Sequence, residues 1–343
     1  MQRFAGTWEQ FSMRDGLPDM KIECLFEDSL GNLWIGTGAK GVVVYGGDDF
    51  VWHTTRDGLS GNSVFGICES DDGTIWLATN RGLCRHGDGD FEALELDQSP
   101  SFLWGVTKDG RGRLWFGAEH QPGLAARVSR WDGAQLEVVN LEDVGSQQGR
   151  SVHATVADDG GRLWCGGHGL FLVDGDDAHE ILPDSAELGQ ISSMCMRSEG
   201  CLVIATATGV YEYVDGKLCP LEAFGSQVAG LLATPSGAVW ATTRDGRLMR
   251  FVGREVVEVA NVGVPLWRSM TLDRHGRLWV GSYGFGLFCY DETRTRIRDV
   301  EHGLPDSEVQ ALAVSRGKVW TGTAKGLIDE NGEKVSGLSS RHV

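Results

Sequence analysis

Proline, paired cysteines, positive charge and long apolar runs are all scarce in this chain of 343 residues. With 8 prolines, too few for Pro-rich linkers, the chain does not read as domains strung on stiff disordered spacers. No apolar run approaches the ~20 residues a membrane helix needs, and Met1 to Gln10 has no hydrophobic signal-peptide core. The expected location is therefore cytoplasmic, with an excised exported domain as the alternative. Lys and Arg total 31 against 48 Asp and Glu, a net charge of −17 that repels nucleic acid and anionic membranes at long range. Neither is expected as a partner. The eight cysteines form no CxxC pair and mostly sit inside apolar strand segments, which favours reduced core thiols over a disulfide or metal framework. No Gly-rich loop leads into a helix, and neither a Ser-nucleophile elbow nor HExxH occurs. Asp174-Gly175-Asp176-Asp177 lacks the alternation and distal Glu of an EF-hand and reads as an acidic hairpin turn. No cofactor and no metal is expected.

What the chain does have is glycine, 49 in all, and a repeat. A glycine-led turn runs into an apolar strand centred on Trp34, Trp76, Trp115, Trp164, Val203 (the copy without Trp), Trp240, Trp279 and Trp320. The successive spacings are 42, 39, 49, 39, 37, 39 and 41 residues, the length of one four-stranded propeller blade. In the second unit the strands read as Val64 to Cys68, Thr74 to Thr79, Gly82 to His86 and Phe91 to Leu96. Ten residues before each Trp position stand small residues, Cys24, Gly66, Gly105, Ala154, Ser193, Gly230 and Ser269, with Ala311 matching in the last unit, whose turn is one residue shorter. Two residues earlier the column is apolar, from Ile22 to Val309. This alternation suits an inner strand packed on both faces, with small side chains where strands crowd an axis. Thr7 to Leu17 matches Asp49 to Leu59, a fourth strand with its exit loop, and the last unit ends near Glu330 after a third strand. Residues 1–14 should therefore supply the missing outer strand of the last blade, removing an exposed edge. The expectation is all-β: a single propeller domain over 1–343 with eight blades, seven being the alternative, and a tail at 333–343 that competes for the closing place or frays.

Asp15-Gly16-Leu17-Pro18, Asp28-Ser29-Leu30-Gly31-Asn32-Leu33-Trp34-Ile35-Gly36-Thr37 and Gly41-Val42 to Tyr45 resemble the two-component-regulator propeller repeat. Asp57-Gly58-Leu59 and Gly303-Leu304-Pro305 carry the same motif again. The resemblance extends along the whole chain. It implies a propeller known mostly from extracytoplasmic regions of hybrid histidine kinases, where it binds carbohydrate-like signals; a periplasmic sensor is thus the form the exported alternative takes. Gly112-Arg113-Leu114-Trp115-Phe116-Gly117 also resembles the blade motif of virginiamycin-type lyases, which use a His, a carboxylate and a divalent metal. Ser70 to Trp76 resembles the Asp-box turn of sialidases, a structural element.

If the regular positions are scaffold, function falls to the exceptions. The 49-residue spacing draws its extra length from Glu119 to Arg127 and from Glu142 to Arg150, both on one face of blades 3 and 4. A mixed column, Glu23, Phe65, Trp104, His153, Ser192, Ala229, Arg268 and Gln310, borders the expected channel mouth. Aromatics with a few polar groups suit a ligand pocket. Phe65 and Trp104 could stack on a ring, Arg268 and Arg150 could hold an anion, and His120, His153 and Tyr283 could hydrogen-bond; equally, Phe65 and Trp104 could wedge between blades. Loops between second and third strands add Lys40, Arg81, His168, Arg244, Lys325 and Phe285, where exposed cations are ordinary. The reading favoured is a non-enzymatic, monomeric fold binding a small ligand or protein partner at this mouth. The alternative is a lyase or hydrolase working through His120, His153, His168 and Glu119.

Overall fold

The computed structural model describes residues 2–3, 9–47, 49–87, 89–94, 103–118, 127–133, 135–141, 152–183, 189–197, 200–223, 228–264, 269–291, 295–329 and 341–342. Among them the architecture is an all-β propeller of eight four-stranded blades, each an antiparallel meander, so the seven-blade alternative falls. Blade 2 runs Val64–Glu69, Ile75–Thr79, Gly82–Gly87 and Asp90–Leu94, within two residues of the expected boundaries where these are described. The only helical elements described are 3-10 turns at Met13–Asp15 and Val300–His302, and no helix is long and apolar enough to cross a membrane.

The blades fall into two compact units. One, Met1–Gly105 with Arg268–Val343, holds blades 7, 8, 1 and 2. The other, Val106–Trp267, holds blades 4 to 6 and blade 3 apart from the start of its leading strand.

The repeat's residue types follow from burial. Second strands such as Leu33–Thr37, Ile75–Thr79 and Leu163–Gly167 are buried at every position, so neither face tolerates a charge. Outer strands such as Asp90–Leu94 and Glu255–Asn261 alternate with solvent and read accordingly. The Trp is fixed by the turn before it. Asp28 Oδ2 accepts the Trp34 indole N–H at 2.8 Å, while Oδ1 accepts the Leu30 and Asn32 amides. Asp109–Trp115, Asp158–Trp164 and Asp273–Trp279 repeat the arrangement, and Ser70 replaces the carboxylate for Trp76. One side chain thus satisfies both the turn's amides and a buried indole, which must otherwise go unpaired.

The small first-strand residues stand opposite small second-strand ones, and the second-strand glycines have a local cause. Cys24 pairs with Gly36, Gly66 with Ala78, Ala154 with Gly166 and Ala311 with Gly322. A Cβ on Gly36 would stand 2.8 Å from Val64 O in the next blade, and one on Gly322 would stand 2.5 Å from Ile22 Cγ2. Gly281 meets Val309 and Gly166 meets Ile191 in the same way. At these blades the apolar residue of the next first strand plugs in over the glycine, and close packing leaves no room there for a methyl group.

Glu9–Phe11 pairs antiparallel with Gly326–Asp329, so the N-terminal strand completes the last blade as expected. Phe11 is 1% exposed, with ring centroids 5.4 Å from Phe50 and 5.6 Å from Trp320. Two-residue strands extend two blades further. Gln2–Arg3 lies parallel to Thr295–Arg298, and Arg341–His342 lies parallel to Phe50–His53; the rest of the expected tail is outside the described residues. All eight cysteines are free and none is exposed. Burial pushes the thiols of Cys24, Cys165 and Cys195 up to about 12, as fits packing residues.

Candidate functional site

The register explains the mixed column. In the first strand of blade 1, pairing with the second strand jumps from Ile22 to Cys24, leaving Glu23 unpaired as a β-bulge. The same shift skips Phe65 in blade 2, His153 in blade 4, Ser192 in blade 5, Ala229 in blade 6 and Gln310 in blade 8. A bulge frees one side chain from the pleat and re-aims it. The neighbours on either side are confined to small or apolar types by the contacts between blades, and the bulged residue is not. All these bulges lie at the strand end that meets the second-to-third-strand loop, since Ile22 pairs with Thr37 and Val64 with Thr79.

That loop has its own device. The hydroxyls of Thr37, Thr79, Ser282 and Thr323 each donate at 2.8 Å to the carbonyl that opens the third strand. Blades 3 and 4 have Ala118 and Gly167 at this position, which cannot do so.

In blade 4, His153 and His168 stand with ring centroids 6.3 Å apart in an edge-on arrangement, and His153 Nε2 hydrogen-bonds the Gln190 side chain. Both histidines are exposed at their edges. Partial burial, followed by the neighbouring His168, lowers the His153 pKa from the ordinary histidine value, which favours its neutral form. A neutral imidazole both accepts and donates, which suits a polar ligand. Ser192, the next bulge in this unit, spends its hydroxyl on Val228 O at 2.8 Å. Among the described residues no group of three or more His, Cys, Asp or Glu is placed to hold a metal ion.

In the other unit Glu23 pairs with Lys21 Nζ at 2.5 Å, and Phe65 is partly buried. Gln310 donates to Glu308, whose backbone bridges to Tyr283. Tyr283 and Phe285 are 47% and 44% exposed. Lys325 is tied to Asp306 at 2.7 Å. Glu119, His120, Arg150 and Arg268, the segments 119–126 and 142–150, and the side chain of Trp104 lie outside the described residues.

The two-component regulator propeller family matches residues 16–39 and 58–81. These stretches hold the Gly-Leu lead-in loops and the turn-to-Trp segments of blades 1 and 2. The loops are built alike: Asp15 accepts from Ser12 N and Asp57 from Thr54 N, at 2.8 and 2.7 Å, and Leu17 and Leu59 are buried behind them. The chain carries two-component regulator propeller repeats. Among solved structures, one similar to this repeat protein is described as the extracellular domain of a one-component system of B. thetaiotaomicron, at 17% identity and TM-score 0.59, covering 96% of this chain and 40% of that one. Another, described as the extracellular domain of a hybrid two-component system of the same organism, shows 19% identity and TM-score 0.58 over 91% of this chain and 51% of that one. The propeller thus spans between two-fifths and about half of those ectodomains. A streptogramin B lyase shows 13% identity and TM-score 0.62, covering 96% and 99% of the two chains. These likenesses are of fold. No curated protein matches the chain.

Proposed function

We propose that this propeller is a non-enzymatic binding module that takes a small ligand or a protein loop on the bulge-bearing end of blades 3 and 4. The observation that carries the reading is the coincidence of variation with bulging. Along otherwise repetitive inner strands, the residue that changes from glutamate to phenylalanine, histidine, serine and glutamine is the one the ladder skips. A constant scaffold that varies only where a side chain is released is built for recognition. His153, held beside His168 and Gln190, is the group expected to meet the ligand, and the extracellular sensor regions named among the relatives support a signal-binding role.

A lyase is the second reading, favoured by the histidine pair. Thermal-shift screening with sugars, organic acids and divalent metals, on wild type, His153→Ala, His168→Ala and Trp104→Ala, separates the two. A metal-independent shift lost in His153→Ala or Trp104→Ala supports binding. A shift that needs a divalent metal and vanishes in either histidine variant supports catalysis, and no effect of any substitution sinks the site. For compartment, the free thiols support the cytoplasm and the extracellular relatives support a periplasmic sensor; fractionation of the native host decides.

A further inference from the structure

The copy without Trp departs from the repeat at three places that touch one another. In blade 5, Val203 stands where the others carry Trp, and Arg197, six residues earlier, stands where they carry Asp, Ser or Thr. Glu212 faces Val203 across the ladder and pairs with Arg197, both side chains being about nine-tenths buried at 10% and 9% exposure. The turn has therefore exchanged a carboxylate that accepts for a guanidinium that donates. Glu212 engages Nη1, while Nε and Nη2 are buried and meet no hydrogen-bond partner among the described residues. That Nε–Nη2 edge is the guanidinium face whose two parallel N–H groups match the two oxygens of a carboxylate. Leaving it unpaired is costly, more so for a charged group than a neutral one.

Beside it lies a cleft of about 400 Å³, formed where the turn of blade 5 is flanked by those of blades 4 and 6. Its walls include Arg197 and Arg162, the apolar Met196 and Pro235, and the acids Asp158 and Asp159. Asp158 is neutralised by Arg162 Nε at 2.8 Å and by the amide of Arg162 at 2.9 Å. Asp159 is an exposed carboxylate on the rim. The cleft opens at the opposite end of the first strands from the bulges, because it borders the turns between first and second strands.

We propose that this cleft binds a small organic acid, its carboxylate taken by the Nε–Nη2 edge of Arg197 and its apolar body laid against Met196 and Pro235. The edge is buried as it stands, so binding requires the Arg197 side chain, itself part of the cleft wall, to turn toward the ligand. The volume falls within the range of small-molecule sites. A singly charged carboxylate fits better than a phosphate dianion, because Asp159 and the net charge of −17 repel the second charge. The site is independent of the one proposed at the bulges.

The test is calorimetric titration of the full chain with isovalerate and phenylacetate, against isovaleramide and inorganic phosphate. Carboxylates should bind, with the amide about tenfold weaker for want of charge-assisted hydrogen bonds. Asp159→Asn, an exposed change, should tighten carboxylate binding about threefold at low salt and less at high salt. Arg197→Lys, which keeps the charge and loses the fork, should weaken it about tenfold. Arg197→Met with Glu212→Met, which removes both buried charges together, should abolish it, and His153→Ala should leave it unchanged. The proposal is overturned by an amide that binds as well as its acid, by no binding of either acid at about 10 mM, or by an affinity indifferent to Asp159→Asn. All three outcomes are decisive even if the double variant does not fold.

Discussion

In blade 7 the turn between the first two strands is held by Asp273, which accepts from the His275 and Arg277 amides, from Arg277 Nε and from the indole of Trp279. In blade 5 the same position is Arg197, whose side chain turns to Glu212 and has two nitrogens unpaired among the described residues, the turn itself keeping its backbone bonds. A carboxylate accepts from several directions and can absorb every donor that a tight turn and an indole present. A guanidinium only donates, so it needs several acceptors in a place where the turn offers few. Blade 5 keeps the scaffold's geometry and loses its self-sufficiency, and Arg197 lines a cleft.

The largest effect expected from this contrast lies in the core. Trp279 is fully buried, and Trp279→Ala should cost about 3–5 kcal/mol, whereas Val203→Ala, also at 0% exposure but far smaller, should cost about 1–2 kcal/mol. Denaturant midpoints for the two variants check this. Equal losses would mean that blade 5 packs as tightly around Val203 as blade 7 does around its indole, and the contrast would fail.

An intermediate effect isolates the buried pair. Glu212→Ala strands the Arg197 charge and should destabilise by about 3 kcal/mol, while the double change to Met at both positions should recover most of that loss. If the double variant is no better than the single, the pair contributes net stability and not merely mutual compensation, and blade 5 is less of an exception than its chemistry suggests.

Much of this fold could be read from the residues. The Trp spacing, the small and apolar columns and the match of Thr7 to Leu17 with Asp49 to Leu59 foretold eight blades, the strand boundaries of blade 2 and the N-terminal strand that completes blade 8. These signals are legible because each is a packing constraint repeated many times. The bulges were not legible as bulges. A skipped residue has no type of its own, so it showed only as the column that would not settle on a type, Glu23 to Gln310. Arg197 is legible in the sequence: among the residues six before the repeat's Trp positions, from Asp28 through Ser70 and Thr234 to Asp273, it is the cation. The missing Trp at Val203 marks the strand, while the accompanying change sits in the turn before it and in Glu212 across the ladder.

The smallest effect expected is a dependence on acid that blade 7 should have and blade 6 should lack. Burial alone would raise the pKa of Asp273, but hydrogen bonds from the Trp279 and Arg277 side chains and from two backbone amides outweigh it and hold the carboxyl below the usual aspartate range. A folded pKa below the unfolded value, about 3.9, means that the group's contribution is fully present above that pH and is lost as the pH falls through the folded pKa. The stability gap between wild type and Asp273→Asn should therefore be constant near neutrality and narrow below about pH 4. Thr234, at the same turn position in blade 6, accepts from the Ala238 amide at 3.1 Å through a hydroxyl that does not titrate in this range. The gap for Thr234→Ala should stay flat over the same interval. A gap for Asp273→Asn that is equally flat would show that the turn binds its Trp by shape and neutral hydrogen bonding alone; Asp, Ser and Thr would then be interchangeable there, and only the step to arginine in blade 5 would change the chemistry.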